Sequence, residues 1–299
     1  MTTRTVGLIG APTSAGAFAP GQEDAPAAVR GAGFVERLRD AGVDVVDLGD
    51  TPRFRWRPDR ADRFAMNAGA VRSSVLAVAD KVALALERGL TPVVLGGDCT
   101  VELGTVLGWQ RQRDATLLLY VDPHPDLNTP ATAPDGAFDW MGVAHLLAEP
   151  GTRAELVELG GRVPALTPDD VLLFGRSAAR STAGERAAIA RLGMRVIEQE
   201  DVARDPVAAA ARALEWLRGP FLVHLDVDSI DFADLPLAEN TDRNIGLSFD
   251  ALAQALDALL GDARLGCLTI TELNPHHGEP EGATLRPFID RLARALAVS

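Results

Sequence analysis

Residues 116–126 read TLLLYVDPHPD, an apolar run that ends in an Asp-x-His-x-Asp motif. An apolar run without polar alternation is typical of a parallel strand that is covered on both faces. We therefore expect a strand over 116–121, with Asp122, His124 and Asp126 directly after its carboxyl end. In extended backbone, a two-residue period points these three side chains to the same side.

Seven further runs predict strands, at 6–9, 43–48, 92–95, 171–174, 195–197, 221–226 and 267–271, and most of them are rich in Val, Leu and Ile without polar alternation. Helical patterns lie between them, at 70–86, at 206–218, at 285–297 and after Ser248, which has the chemistry of an N-cap. This alternation indicates an α/β protein with a mostly parallel sheet and outer helices. Eight such units can close into a barrel or form an open three-layer sandwich, and periodicity does not decide between the two. Because no repeat or linker separates the units, we expect one domain over residues 1–299.

Three other predicted strands also end in polar residues. Cys99 follows Gly-Gly-Asp at 96–98, Asp226 and Asp228 form an Asp-x-Asp motif, and Glu272 begins Glu-Leu-Asn-Pro at 272–275. Ligand sites of open parallel sheets lie at the carboxyl ends of the strands, so we expect these side chains to converge. A lone Asp-x-Asp is well explained as a turn, but a turn does not explain it together with Asp-x-His-x-Asp.

Four carboxylates in one place repel each other. Two like charges about 4 Å apart repel by roughly 4 kcal/mol at an effective dielectric constant of about 20. Without a counter-charge, such groups take up protons. A divalent cation removes the repulsion, so the cluster predicts a metal site. Oxygen-rich ligation with one imidazole suits Mn²⁺, and also Fe²⁺, Co²⁺ or Zn²⁺.

Composition excludes several other classes of protein. The 299 residues carry 29 basic and 42 acidic side chains, a net charge of −13 that disfavours nucleic acid as a partner. No apolar run is long enough to predict a membrane span. Two cysteines do not make a disulfide scaffold, and residues 1–10 lack the layout of a signal peptide, so we expect a cytoplasmic protein. His145 and Cys267 fall in apolar patterns and are predicted to be packed in the core.

In these motifs the chain resembles the ureohydrolases, the group of arginases, agmatinases and formimidoylglutamases. The resemblance is carried by residues 8–12, 21–30, 47–50, 96–98, 122–130, 226–231 and 272–275. It implies a three-layer α/β/α sandwich with an eight-stranded parallel sheet. It also implies two divalent metal ions, usually manganese, with a hydroxide between them that attacks the substrate.

The resemblance implies a role for each motif residue. The implied metal ligands are Asp122 and Asp226, which would bridge both ions, Cys99 and Asp126 at one site, and His124 and Asp228 at the other. Glu272 would hold the guanidinium of the substrate, and Asn128 is retained as a substrate contact. Asp126 would also orient the hydroxide and pass its proton to the leaving amine.

Three departures from the family bear on metal and substrate. Cys99 stands where the family usually carries His, and a thiolate favours Zn²⁺, Fe²⁺ or Co²⁺ more than an imidazole does, with Ni²⁺ a further alternative. A neutral thiol would bind weakly and leave that site partly empty. In an alignment without gaps, Asp135 and Asp139 stand where arginases carry Ser and His, and residues 175–179 lack an acid for the amino-acid ammonium. Asp135 would repel a substrate carboxylate, and Asp139 is a candidate proton-transfer group with a low ordinary pKa.

These departures favour a guanidino compound with an additional cation or polar group over free arginine. The first functional hypothesis is a binuclear hydrolase that cleaves a guanidino C–N bond and releases urea or a urea analogue. The second keeps the fold for a formimino, hydroxyguanidine or amide substrate, the last with one metal. The third is a degenerate, non-catalytic member, which the retained metal motifs disfavour. The resemblance further implies a homo-oligomer, either a trimer or a hexamer.

Overall fold

One sheet of eight strands runs through this computed structural model, which describes residues 4–133, 135–279 and 282–297. The strands are β1 (Thr5–Gly10), β2 (Asp44–Asp50), β3 (Thr91–Leu95), β4 (Leu118–Val121), β5 (Val171–Arg176), β6 (Arg195–Glu198), β7 (Phe221–Asp226) and β8 (Leu265–Thr271). Every neighbouring pair is parallel, in the order β2-β1-β3-β8-β7-β4-β5-β6. All eight predicted strands are confirmed. Because β2 and β6 are edge strands, the sheet is open and does not close into a barrel.

Eleven α-helices connect the strands in the described part of the chain. They are α1 (Ala25–Gly31), α2 (Phe34–Asp40), α3 (Ala68–Glu87), α4 (Val101–Gln110), α5 (Gly142–Leu146), α6 (Ala154–Val157), α7 (Ala183–Leu192), α8 (Gln199–Arg204), α9 (Pro206–Trp216), α10 (Phe249–Gly261) and α11 (Leu285–Ala297). Short 3₁₀ turns lie at Gln22–Asp24, Asp139–Met141, Pro168–Asp170 and Val227–Ser229. A search of these helices finds none that combines the length and the apolar character needed to cross a bilayer.

The four predicted helices are confirmed as α3, α9, α10 and α11. Ser248 caps α10, since its side chain accepts a hydrogen bond from the Ala251 N–H at 3.2 Å. Helix α4, which follows the predicted ligand Cys99, has no amphipathic pattern because every residue except Gln110 is buried. Its two faces pack on other elements, so periodicity does not reveal it.

Both faces of the sheet are covered, which produces three layers. Leu119 and Val121 of β4 belong to a core cluster with α1, α2 and α8–α11. Leu118 and Tyr120 belong to a second cluster with α3–α7. Burial on both sides explains why this strand lacks polar alternation. The predicted α/β/α sandwich is confirmed.

A close backbone approach fixes the loop that carries Cys99. A Cβ added to Gly97 would lie 1.6 Å from the Thr13 carbonyl oxygen, so only glycine fits there. The Asp98 carboxylate is fully buried and accepts hydrogen bonds from the N–H groups of Gly16, at 2.9 Å, and Thr100, at 3.1 Å. The loops after β1 and β3 are therefore held against each other, with Cys99 at the edge of the sheet.

His145 and Cys267 are packed in the core, as predicted. The ring of His145 is held between two backbone groups: its Nδ1 lies 2.8 Å from the Met141 carbonyl oxygen, and its Nε2 accepts from the Arg153 N–H at 3.1 Å. These contacts require the neutral Nδ1–H tautomer, because a protonated Nε2 would face another donor. Burial lowers the pKa of His145 from 6.5 to about 4.

This depressed pKa predicts a pH-dependent loss of stability. In the unfolded chain His145 takes up a proton near its ordinary pKa of 6.5, whereas in the fold it does so near 4. The stability that neutral His145 contributes is therefore fully present above pH 6.5, the unfolded pKa. It is lost as the pH falls from 6.5 towards the folded pKa of about 4. Between pH 7 and pH 5, we expect the unfolding free energy to fall by about 2 kcal/mol more in the natural protein than in His145→Gln. Urea unfolding of both proteins at the two pH values measures this difference, and parallel pH profiles would contradict it.

Candidate metal centre

The four strands whose ends carry the polar motifs are neighbours in the centre of the sheet. They are β3, β8, β7 and β4, in that order. Cys99, Glu272 and Asp122 lie in the loops after β3, β8 and β4, and Asp226 is the last residue of β7. The expected convergence at one edge of the sheet is therefore present, at the carboxyl ends where ligand sites of such sheets lie.

Two groups of possible metal ligands lie side by side at this edge. In each group the ligand atoms lie within 4.8 Å of one another. One group is Cys99, Asp122, His224 and Asp226, and the other is Asp122, His124, Asp226 and Asp228. Asp122 and Asp226 belong to both groups, as two adjacent metal positions with shared carboxylates require.

The hydrogen bonds of Asp122 and Asp228 leave oxygen atoms open at this edge. Asp122 Oδ1 accepts from the His124 N–H at 2.6 Å, whereas its Oδ2 is buried and accepts from no residue that the structure describes. Asp228 Oδ2 accepts from Arg180 Nη2 at 3.1 Å, and its Oδ1 is similarly open. Buried carboxylate oxygens without a donor are costly, and a cation is the group that satisfies them. The donor set therefore fits divalent metal.

The His124 ring lies between two of these carboxylates. Its Nδ1 is 3.4 Å from Asp122 Oδ1 and 3.4 Å from Asp228 Oδ2. Asp226 Oδ1 accepts from the Asp228 N–H at 2.8 Å, which turns the Asp-x-Asp segment so that both side chains face the site. Carboxylates with one imidazole form a ligand set that suits Mn²⁺, Fe²⁺, Co²⁺ or Zn²⁺.

Among the protein groups alone, the electrostatics strongly disfavour ionised side chains here. Burial, and next the charge of a neighbouring aspartate, raise the pKa values of Asp122, Asp126 and Asp226 well above their ordinary range. Burial, and next the carboxylate of Asp226, raise the pKa of the Cys99 thiol in the same way. A thiolate at Cys99 therefore requires a cation beside it.

Two of the three predicted catalytic carboxylates have unusual backbone conformations. Asp126 has a φ of 49° and Glu272 a φ of 60°, the left-handed region that side chains other than glycine rarely adopt. The backbone of Glu272 is fixed there, because its N–H donates to the Gly97 carbonyl at 2.8 Å and its C=O accepts from the Glu239 N–H at 2.7 Å. The conformation turns each carboxylate into the site.

The Asp126 and Glu272 side chains are also held. Asp126 Oδ2 accepts from the Tyr120 hydroxyl at 2.5 Å. Glu272 Oε1 accepts from the Cys99 N–H at 2.9 Å, and its Oε2 accepts from Gln22 Nε2 at 2.9 Å. Asp126 faces the same cleft as the metal ligands, but its carboxylate belongs to neither group of ligand atoms. Its implied role as a ligand stays a prediction.

A small cleft, with a cavity volume of about 40 Å³, opens over the site. It is lined by Phe18, Cys99, His124, Asp126, Asp139, Trp140, Asp226, Asp228, Asn240 and Glu272. Five of these are carboxylates, and no Lys or Arg is among the described residues that line it. The cleft therefore favours a cationic ligand.

The remaining predicted site residues are placed differently. Asp139 lines the cleft, and burial, followed by the charge of Glu272, raises its pKa well above the ordinary range. Asn128 is buried, with its Oδ1 accepting from the Thr132 hydroxyl at 3.1 Å, and Asp135 Oδ1 accepts from the Ala137 N–H at 3.1 Å. Neither Asn128 nor Asp135 lines the cleft in the part of the chain that the structure describes. Their role as substrate contacts stays a prediction.

Four residues near the ligands were not singled out from the sequence: Tyr120, His224, Glu102 and Arg180. Tyr120 and His224 are register partners on β4 and β7, and their rings stack at a centroid distance of 4.0 Å. A signal for His224 is present, because residues 224–228 read His-x-Asp-x-Asp, with the same two-residue period as Asp-x-His-x-Asp. We did not select His224 from the sequence because it lies inside an apolar strand.

Comparison with known proteins agrees with the fold and identifies the family. The model of the arginase family matches residues 4–296. An arginase of Bacillus subtilis is 31% identical over 295 residues, which cover 97% of each chain. The structure of an arginase from Bacillus caldovelox superimposes with a TM-score of 0.87 at 25% identity, covering 98% of each chain. This chain therefore belongs to the arginase family, and the resemblance in its motifs is confirmed.

A more distant member of the comparison set shows the same fold. A formiminoglutamase from Trypanosoma cruzi, whose structure was determined with Mn²⁺, has a TM-score of 0.76 at 18% identity, covering 98% of this chain and 94% of that one. At this identity the likeness extends to the fold alone. The α/β/α architecture is thus shared by proteins that act on different substrates.

The raised pKa values predict that metal stabilises the protein more strongly as the pH rises. For the protein groups alone, the aspartates contribute stability below their unfolded pKa and lose it as the pH rises through the raised folded pKa. Metal reverses this loss because it binds the ionised carboxylates and releases their protons. We expect the rise in Tm on adding Mn²⁺ to chelator-treated protein to be larger at pH 7.5 than at pH 5.5. Melting curves at both pH values measure this rise in Tm. The substitution Asp122→Asn should make the rise smaller. An equal rise at pH 5.5 and pH 7.5 would contradict the prediction.

Proposed function

We propose that this chain is a metal-dependent hydrolase that cleaves a guanidino C–N bond and releases urea or a urea analogue. One observation carries the proposal: two groups of metal ligands share Asp122 and Asp226 in a cleft that also holds Glu272 and Asp139. Two divalent ions at such a site supply hydroxide at neutral pH, because they lower the pKa of water. We expect Mn²⁺, with Zn²⁺, Fe²⁺, Co²⁺ or Ni²⁺ as the alternatives that Cys99 favours.

Glu272 is the proposed partner of the guanidinium. Hydrogen bonds from the Cys99 N–H and Gln22 Nε2 fix the plane of its carboxylate, one donor on each oxygen. Each carboxylate oxygen retains a further lone pair, so two parallel N–H donors of a planar guanidinium can bind. Binding of that cation also stabilises the ionised form of Glu272, whose pKa is raised by burial and by the charge of Asp98.

Asp126 is the proposed proton carrier. The Tyr120 hydroxyl donates a hydrogen bond to Asp126 Oδ2, and Asp126 lines the cleft. A carboxyl whose pKa is raised by burial and by Asp122 can accept a proton from the attacking water and deliver it to the leaving amine. The tyrosine hydrogen bond and the left-handed backbone of Asp126 keep this group in one orientation.

The rest of the lining defines the expected class of substrate. Asp139 supplies a second carboxylate, and Phe18 and Trp140 supply aromatic walls. Since Asp135 lies outside the cleft lining, the argument for a second cation depends on Asp139. A substrate carboxylate finds no Lys or Arg among the described lining residues. We therefore propose a guanidino compound with a second cationic or polar group, and not free arginine.

Replacement of Glu272 tests the chemistry. We expect Glu272→Gln to lower kcat/KM for urea release by about 100-fold, since a charged hydrogen bond is worth roughly 3 kcal/mol and each 1.4 kcal/mol is about tenfold. Glu198→Gln is the matched control, because Glu198 also ends a strand but pairs with Arg176 at the far edge of the sheet. Failure of the natural protein to release urea from any of a broad guanidine panel, with each metal supplied, would contradict the proposal.

The substrate side chain is tested by a comparison of agmatine, L-arginine and guanidino acids. We expect kcat/KM to be at least about tenfold higher for agmatine, because an unpaired carboxylate in an acidic cleft costs more than roughly 1.4 kcal/mol. Asp139→Asn should lower the ratio of kcat/KM for agmatine to kcat/KM for arginine, and Asp135→Asn should change this ratio less. Turnover of arginine with agmatine inert would show that the second carboxylate has no part in selectivity.

A further inference from the structure

The first group of ligand atoms contains a histidine that the motif comparison does not assign. His224 lies on β7, fully buried, two residues before the shared ligand Asp226. Its Nε2 is 3.6 Å from Cys99 Sγ and 4.0 Å from Asp122 Oδ2, and Cys99 Sγ is 3.3 Å from Asp226 Oδ2. In a tetrahedral site with bonds of about 2.0–2.3 Å, neighbouring donor atoms are about 3.3–3.8 Å apart. The separations of 3.3 and 3.6 Å lie within this range, and the His224 Nε2–Asp122 Oδ2 separation of 4.0 Å is slightly longer.

A buried carboxylate lies on the other side of the His224 ring. Glu102, on α4, has an exposed fraction of 1%, and its Oε2 is 3.5 Å from His224 Nδ1. Neither Glu102 oxygen nor His224 Nδ1 makes a full hydrogen bond with any residue in the described ranges. A carboxylate behind the far nitrogen is the usual arrangement for a metal-binding histidine, because it fixes the Nδ1–H tautomer and leaves Nε2 free to bind.

Packing alone does not explain this pair. The His224 ring stacks on Tyr120, and its Nε2 also lies 3.3 Å from the Thr271 hydroxyl, as a core histidine could do. A core histidine does not require a fully buried carboxylate beside it, and that carboxylate is costly unless it has a partner. The other buried histidine, His145, pairs with two backbone groups and with no acid among the residues that the structure describes.

We propose that His224 Nε2 is a metal ligand, completing with Cys99, Asp122 and Asp226 the position where Cys99 replaces the usual histidine. Glu102 is a positioning residue that acts through the His224 ring. The proposal depends on the metal centre of the proposed function and deepens it, because it names a new imidazole source on β7. A thiolate, an imidazole and two carboxylates form a softer set than the second group, so Zn²⁺, Fe²⁺ or Co²⁺ suits this position better than Mn²⁺.

The same three residues also fit a different chemistry, which the test must separate. In space, Cys99 lies beside His224, and His224 lies beside Glu102, as a nucleophile, a general base and an orienting acid would do. If they served covalent catalysis, His224 would hold a proton and not a metal. Metal content and alkylation of Cys99 distinguish the two arrangements without a measurement of turnover.

The experiment measures bound metal per chain and the absorption spectrum of the Co²⁺-loaded protein. We expect the natural protein to bind two equivalents and to show a thiolate-to-cobalt charge-transfer band. His224→Phe keeps an aromatic ring against Tyr120 and should lose about one equivalent, with a changed cobalt spectrum. Cys99→Ser should lose the charge-transfer band, and Glu102→Gln should weaken metal binding by about 10–100-fold. His145→Gln is the matched control for loss of a buried histidine and should keep both equivalents.

The outcomes are distinct from those of the activity assay. His224→Phe that keeps the stoichiometry, affinity and cobalt spectrum of the natural protein would overturn the proposal. Rapid alkylation of Cys99 in the metal-loaded natural protein would also overturn it, in favour of a nucleophile. Recovery of the lost equivalent by Cys99→His in the His224→Phe background would support it, because an imidazole would again serve this position. A protein that binds metal through His224 but releases no urea would retain this proposal and reject the proposed function.

Discussion

Repulsion between buried carboxylates is the constraint on which this structure depends. The open sheet brings the ends of β3, β8, β7 and β4 together, and with them Asp122, Asp226 and Asp228. The fold supplies part of the solvation that these groups lose, since the N–H groups of His124 and Asp228 each bind one carboxylate oxygen. Other oxygens stay without a donor, and at about 4 Å each ionised pair costs several kcal/mol. A bound cation would satisfy these oxygens and remove the repulsion.

Two of the five non-glycine residues with a left-handed backbone in the described part of the chain lie at the same edge. Asp126 follows β4 and Glu272 follows β8, and both adopt a left-handed conformation that costs roughly 1–2 kcal/mol for a residue with a side chain. Hydrogen bonds from neighbouring loops hold Glu272 there, including its bond to Gly97, whose own lack of a side chain lets two loops meet. Such strain persists only where the surrounding structure determines it, and it orients both carboxylates before any substrate arrives.

Much of the fold and of the ligand set could be predicted from the sequence, because both depend on local patterns. Runs rich in Val, Leu and Ile, most of them without alternation, located the eight strands, and polar residues at the strand ends located Asp122, Asp226 and Asp228. The choice between barrel and sandwich could not be derived from periodicity, because it depends on which strands pair, and only the family resemblance indicated it. His224 and Glu102 were missed because each lies within an apolar element. Only their neighbours on other strands and helices show that they belong to the site.

The loop between β4 and α5 shows a different limit. An alignment without gaps gave Asp135 and Asp139 equivalent status, but only Asp139 lines the cleft. The difference arises from the backbone of the loop: Asp139 begins a 3₁₀ turn whose N–H bonds to the Gly16 carbonyl at 3.0 Å, which turns this residue to the site. A contact between two loops that are distant in the sequence therefore decides which acid lines the cleft. Local sequence does not reveal that contact.

Part of the chain's negative charge is located at this site. Two divalent ions would match the charge of the four aspartates at 122, 126, 226 and 228, and would leave Glu272 and Asp139 uncompensated in the same cleft. Cys99, if bound as a thiolate, adds a further negative charge that the ions do not cancel. A cleft with aromatic walls and excess negative charge stabilises a flat cation and repels a carboxylate. Under the proposed function, this charge balance would connect the metal centre to substrate selection, because the acids that the metals do not neutralise would be those left for the substrate.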